Sequence, residues 1–184
     1  MIRDGDVALR PMRDDDADRA RYVEWRNRPH VREWWDPDDP PMTLAQVEAE
    51  HGPSLKGSGP DRLFIIEVDS VPVGFVQSYP WSAYAGELAD LGLTVPDGAW
   101  GLDIFIGDEA HVGRGVGTRV VRMLGDHLFA TEDASALAFG VDLRNLRARR
   151  AYERAGLVGT VEYLDTDTRD GQRVRSLFLI RERA

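Results

Sequence analysis

Apolar positions along this chain fall into two rhythms: short runs that alternate or cluster as strands do, and longer stretches with helical spacing. Residues 7–12, Val-Ala-Leu-Arg-Pro-Met, read as a first strand. Asp14, Asp15 and Asp16 then open a helix, because carboxylates complement the positive end of a helix dipole, and the period carries it to about Asn27. The run 31–35, which ends in the pair Trp34 and Trp35, leads into a Pro/Asp loop over 36–41, and Thr43 is placed as the N-cap of a short helix to about His51. Residues 62–68 and 73–79 are rich in β-branched and aromatic side chains and predict a hairpin joined by Asp69-Ser70-Val71-Pro72. Residues 80–98 keep neither rhythm and are expected to be irregular. A strand over 100–106, a glycine-rich loop at 113–117 and an amphipathic helix to Leu128 follow in order. Residues 136–141 read as a buried strand, 145–155 as a helix ended by Gly156, and 157–164 with 174–180 as a last hairpin across Asp170-Gly171. The expectation is an α+β arrangement around one mixed sheet, a single domain spanning residues 1–184, with no repeat, low-complexity tract or linker.

Composition narrows the function classes. The length of 184 residues, with 42% hydrophobic and 30% charged positions, suits one soluble core. No apolar run approaches the roughly 20 residues that span a bilayer, and the first residues lack an apolar signal stretch, so a cytoplasmic location is expected with no membrane partner. The absence of cysteine excludes disulfides, thiolate metal sites and a cysteine nucleophile. A net charge of −9 opposes binding to nucleic acid and favours approach of a cationic small molecule, although an acidic surface also serves solubility alone.

The strongest local signal is His111-Val112-Gly113-Arg114-Gly115-Val116-Gly117-Thr118. Glycines there let a backbone approach a ligand, and the helix that follows aims free N–H groups at an anion, which together describe a pyrophosphate cradle. The spacing misses the Walker A pattern, and Thr118 stands where the third glycine of a dinucleotide fingerprint would fall. Other constellations fail. The stretch 165–171 hints at a calcium loop but carries Arg169 at the fifth position and Gly171 at the seventh, the four histidines have no metal spacing, and no G-x-S-x-G elbow exists, so no metal is expected.

The glycine loop resembles the acyl-CoA loop of the GNAT acyltransferases, Q/R-x-x-G-x-G/A, with Val112 in place of the usual Gln or Arg. Downstream, Asn145-Leu146-Arg147-Ala148-Arg149-Arg150-Ala151-Tyr152-Glu153-Arg154-Ala155-Gly156-Leu157 is similar to the N-x-x-A-x-x-x-Y-x-x-x-G-F segment of the same superfamily, with Leu157 for the final Phe. The resemblance covers about residues 7–181 and implies a mixed sheet splayed between two strands, helices on both faces, and acetyl-CoA as cosubstrate. It implies cosubstrate contacts from Ile106, Val112, Gly113, Arg114, Gly115, Gly117, Thr118, Asn145 and Tyr152, with the Tyr152 hydroxyl near the sulfur. Arg147, Arg149, Arg150 and Arg154 form a basic cluster that suits CoA phosphates or, equally, a solvated helix face.

Within the superfamily, residues 95–107 resemble the central strand of aminoglycoside 6′-N-acetyltransferases, G-I/L/M-D-x-x-I/L-G, and place Asp103 as the active-site carboxylate. A carboxylate suits a polycationic acceptor, since a protonated amine must be held by negative charge and relieved of a proton before it attacks. By the same resemblance Asp97 and Asp142 are further substrate carboxylates, although Asp142 also suits a helix cap, and Trp35 offers a flat face to sugar rings. The implied reaction is direct attack of an acceptor amine oriented by Asp103, with Asp103 and Tyr152 as the catalytic pair. Hydroxylysine acyltransferases of siderophore synthesis share the layout but carry His where Asp103 stands. They remain an alternative, as do a polyamine acceptor and a non-catalytic acyl-CoA-binding module, with a monomer or homodimer as the expected assembly.

Overall fold

The computed structural model describes residues 1–35, 39–166 and 173–183. Eight strands form one sheet: β1 (Ile2–Asp4), β2 (Val7–Pro11), β3 (Arg62–Val68), β4 (Val71–Pro80), β5 (Trp100–Ile106), β6 (Ala136–Asp142), β7 (Val158–Thr166) and β8 (Arg173–Glu182). Their order in space is β1-β2-β3-β4-β5-β6-β8-β7, and every neighbouring pair is antiparallel except β5 and β6. The helices are α1 (Asp16–Arg26), α2 (Pro29–Arg32), α3 (Leu44–Leu55), α4 (Ala85–Asp90), α5 (Val116–Thr131) and α6 (Leu146–Arg154). Among the described residues no helix is long and apolar enough to cross a membrane.

Alternation along the strands sorts the sheet into two covered faces. On β5, Trp100, Leu102, Ile104 and Ile106 join the core under α5, which contributes Val116, Val120, Val121, Leu124 and Leu128. Phe105 points to the opposite face and meets Tyr22 and Trp25 of α1, Val31 of α2 and Val47 of α3. On β6, Leu137, Phe139 and Val141 share the α5 core, whereas Ala136 and Ala138 face Trp81 and Leu88 on the other side. The mixed α+β sheet with helices on both faces is thus present as the sequence predicts.

Local signals account for most boundaries. Asp15 caps α1 by accepting from the Asp18 N–H at 2.9 Å, and Thr43 and Gln46 form a reciprocal capping box on α3. Gly156, with φ of 98°, lets the chain leave α6 in the left-handed conformation. Four features differ from the sequence expectation. A three-residue β1 precedes the first strand, too short to show a period. The β3–β4 connection closes over Asp69 and Ser70 alone, both at positive φ (50° and 66°), and Pro72 enters β4 opposite Glu67 at a bulge that absorbs its missing N–H. Helix α3 runs past His51 to Leu55, and the stretch 80–98 holds a 3₁₀ turn (Trp81–Tyr84) and α4. Half of the expected Pro/Asp loop, residues 36–38, and the expected turn at Asp170-Gly171 lie outside the described residues.

One buried ion pair ties the first strands to α1. The Arg10 guanidinium makes two parallel bonds to Asp18, Nη1 at 2.5 Å and Nη2 at 2.7 Å, and its Nε reaches Glu67 at 2.8 Å. Burial opposes ionisation of Asp18, but the Arg10 fork and the Arg13 backbone N–H outweigh it and hold the carboxyl below its ordinary value. Removing one partner leaves the other charge buried, so Asp18→Ala is expected to destabilise the fold by about 3–5 kcal/mol in urea unfolding. A loss under about 1 kcal/mol would show that α1 is held by its apolar face alone.

Candidate active site

The parallel strands β5 and β6 pair at one point, Trp100 with Leu137, and then part. Each keeps its antiparallel neighbour, β4 as far as Ile106 and β8 as far as Asp142, so two half-sheets splay from a common base. Below the gap, α5 packs Val120 and Leu124 against both halves, in one core with Leu102 and Phe139. Above it opens a cleft of about 1070 Å³ lined from β5, β6, α6 and the loop before α5.

That loop is shaped for an anion. Gly113 and Gly115 sit at φ of 77° and 83°, and Gly115 is the N-cap of α5 with no side chain to cap it. The first N–H groups of α5 therefore lack intrahelical acceptors and border the cleft. An added Cβ at Gly113, Gly115 or Gly117 would meet no atom within 4 Å, so the backbone there faces open space. Asp108 braces the approach by accepting from the Ala110 N–H at 3.1 Å and from His111 Nδ1 at 2.8 Å. Val112 and Thr118 line the cleft with these glycines, but Arg114 folds back to donate to the Ala110 carbonyl at 2.7 Å and stands outside it.

Helix α6 forms the opposite wall. Asn145 caps it, its Oδ1 accepting from the Ala148 N–H at 3.0 Å, and both Asn145 and Ala148 line the cleft. Tyr152 packs edge-on against Phe139, ring centres 4.9 Å apart. Burial, with the Asp103 charge adding to it, raises the Tyr152 pKa, so its hydroxyl keeps its proton at neutral pH.

Asp103 is half-buried and, by strand alternation, shares with Phe105 the face opposite α5. Its Oδ2 accepts from Gln77 Nε2 at 2.8 Å across the β4–β5 ladder. Asp142 shares that face on β6, and its carboxylate accepts from the backbone N–H of Arg144 at 2.7 Å and pairs with the Arg144 guanidinium. It orders the turn into α6, whereas the cap itself is Asn145. Trp35 walls the cleft edge-on to Phe105 (5.1 Å), with the Arg26 guanidinium 4.9 Å over its ring. Ile106 also lines the cleft. Asp97 does not: it is exposed in the loop before β5, where its carbonyl accepts from Ser135 Oγ at 2.6 Å.

Four residues come to this region without a sequence signal: Gln77, Tyr79, Glu87 and Tyr163. Tyr79 sits edge-on to Trp81 and Tyr84, and burial raises its pKa. The hydroxyl of Tyr163 lies over the Gly140 backbone, where a Cβ on residue 140 would fall 2.0 Å from it. Charge in the cleft is divided. Glu33, Glu87, Asp103, Asp142 and Asp165 lie along it with Arg144, while Arg147, Arg150 and Arg154 project from α6. Among the described residues no cluster of His, Cys, Asp and Glu could hold a metal ion.

Known proteins share this architecture. The family model for the acetyltransferase (GNAT) domain matches residues 14–163. An aminoglycoside N(6′)-acetyltransferase type 1 from Klebsiella pneumoniae is 31% identical over 159 residues, covering 82% of this chain and 73% of that protein. The lysine N-acyltransferase MbtK of Mycolicibacterium paratuberculosis is 33% identical over 161 residues, covering 83% of this chain and 66% of that protein. Among solved structures, the aminoglycoside acetyltransferase AAC(6′)-Ib in complex with coenzyme A and kanamycin superposes with a TM-score of 0.75 at 29% identity, covering 96% of this chain and 95% of that one. The splayed sheet, the glycine loop beneath it and the match over most of the chain agree, and the protein belongs to the GNAT family as an acetyl-CoA-dependent N-acetyltransferase.

Proposed function

We propose that this protein moves the acetyl group of acetyl-CoA to an amino group of a cationic amino sugar, the 6′-amino group of an aminoglycoside. The observation that carries the reading is Asp103, a carboxylate inside the cleft at the gap between β5 and β6, close enough to Tyr152 for its charge to act on the hydroxyl. Similarity to an aminoglycoside N(6′)-acetyltransferase supports the acceptor class.

Acetyl-CoA fits the residues present. A pyrophosphate has room over Gly113, Gly115 and Gly117, and the first N–H groups of α5 meet its charge without displacing any side chain. Asn145, with Ala148 beside it, borders the path for the pantetheine arm. On the acceptor side, Asp103 and Asp142 offer negative charge to ammonium groups, Glu87 adds to it, and Trp35 presents a flat face to a sugar ring. Asp103 orients the reacting amine and draws its proton. The free amine then attacks the thioester carbonyl, Tyr152 gives its proton to the leaving thiolate as the C–S bond breaks, and the surplus proton on the acylated nitrogen restores the Tyr152 hydroxyl. Gln77 fixes the Asp103 carboxylate through Oδ2. Similarity to MbtK favours a second reading, acylation of a lysine-derived amine, and the acceptor requirement at Asp103 separates the two.

Three variants test this reading. Gly115→Asp brings a carboxylate into the phosphate cradle and forces an L residue to φ of 83°, so, with the fold checked by thermal melting, the KM for acetyl-CoA should rise roughly 100-fold or more. An unchanged KM would remove the loop from the cosubstrate site. Tyr152→Phe keeps the ring on Phe139 and should lower kcat by about 100-fold, whereas a change under about threefold would make Tyr152 a packing residue. Asp103→Asn keeps the shape but cannot carry the charge, and kcat/KM for amino sugars should fall by about 100-fold or more. If Asp103 takes the proton, the loss shrinks at high pH as free amine accumulates. If it only anchors the cation, the acceptor KM rises and kcat stays near wild type. Wild-type rates with every amino sugar would sink the aminoglycoside assignment.

A further inference from the structure

We infer that Arg147, Arg150 and Arg154 form a receptor for the 3′-phosphate of CoA, so that the protein discriminates CoA from its 3′-dephospho form. The inference rests on the reading that acetyl-CoA occupies the cleft, and it concerns a phosphate that the glycine loop does not serve.

The spacing of the three residues, i, i+3 and i+7, puts them in one stripe along α6, and all three are exposed and line the cleft. Ala148 and Ala151 lie beside the stripe on the same wall, small enough to let a ligand approach the helix closely. The fourth arginine of the helix behaves differently. Arg149 is half-buried, faces away from the cleft and pairs with Glu153 at 3.9 Å.

In a chain of net charge −9, arginines are readily matched: Arg10, Arg19, Arg119, Arg175, Arg181 and Arg183 each hold a carboxylate. The guanidinium groups of Arg147, Arg150 and Arg154 form no ion pair among the described residues. Two features of this placement cost the free helix, although Arg154 in the last turn suits the dipole. Like charges three and four residues apart repel, and Arg147 sits in the first turn of α6, where a cation opposes the helix dipole. A dianionic ligand reverses both penalties. Phosphate also suits the planar fork of arginine, which binds it through paired charge-assisted hydrogen bonds.

Geometry limits which phosphate this is. The pyrophosphate fits the amide cradle at Gly113 to Thr118, across the cleft from α6. The two walls stay close because Arg122 of α5 donates to the Arg154 carbonyl at 2.6 Å. A ribose 3′-phosphate lies one sugar beyond the pyrophosphate, and the stripe is the exposed cationic surface that the same cleft offers it.

The test is isothermal titration calorimetry with CoA and 3′-dephospho-CoA on the wild type and on the triple variant Arg147→Gln, Arg150→Gln, Arg154→Gln. Wild type should bind 3′-dephospho-CoA about tenfold or more weakly than CoA, and the difference should narrow as salt rises. In the triple variant the two affinities should converge to within about twofold, because the groups that read the phosphate are gone. The single Gln variants, each with two guanidinium groups left, should retain an intermediate difference and serve if the triple variant does not fold. Equal affinities in the wild type, or undiminished discrimination in the triple variant, would overturn the receptor while leaving the acetyl-CoA reading in place. Failure of the wild type to bind CoA at all would overturn both.

Discussion

Everything in this protein follows from two parallel strands that meet once and then separate. Closed parallel sheets satisfy their backbone groups along the whole ladder, so a gap between β5 and β6 has to be supported from outside. Long antiparallel partners on each flank and the apolar face of α5 beneath supply that support. The Arg10–Asp18 pair and the aromatic cluster of Tyr22, Trp25, Phe75 and Phe105 hold the outer half-sheet against its helices, which leaves the gap as the place where the two faces communicate.

Strand alternation then divides the chemistry. On the α5 face lie the glycine loop and α6, sources of backbone N–H groups and guanidinium groups that suit phosphate. On the other face lie Asp103, Asp142 and Trp35, which suit a cation with flat rings. On the proposed reading, an acidic protein that must also bind a polyanion gains from this separation, because negative field over the acceptor side draws in ammonium groups while local amides and arginines offset it where phosphates bind. Tyr152 stands between the two, its proton retained by burial and by the nearby Asp103 charge.

How much of this was legible in the sequence depended on how local each signal is. The loop at 113–118 and the break at Gly156 are dictated within a few residues, and the structure has both there, whereas the cap of α6 that the sequence offered at Asp142 falls on Asn145. Asp103 stood out only through the resemblance of residues 95–107 to a family strand, and the structure puts it on β5 within the cleft. Gln77 was not legible, since its bond to Asp103 depends on the β4–β5 register, which pairs residues 26 apart in the chain across the short elements of 80–98. Glu87 sits on a six-residue helix, too short for a period to show. Arg114 and Asp97 stand outside the cleft because spacing along the chain does not determine side-chain direction. The Ala110 carbonyl captures one, and the loop held by Ser135 turns the other to solvent.

The central claim is that a carboxylate-lined cleft presents one particular amine to the thioester. Thiol release from acetyl-CoA, followed with two amino sugars that share a ring system and differ in carrying a 6′-amino or a 6′-hydroxyl group, tests it most directly. The account predicts rapid release and a singly acetylated product with the 6′-amino sugar, and release near the background rate with the 6′-hydroxyl sugar. Equal release from both sugars, or none from either alongside turnover of a lysine-derived amine, would contradict it.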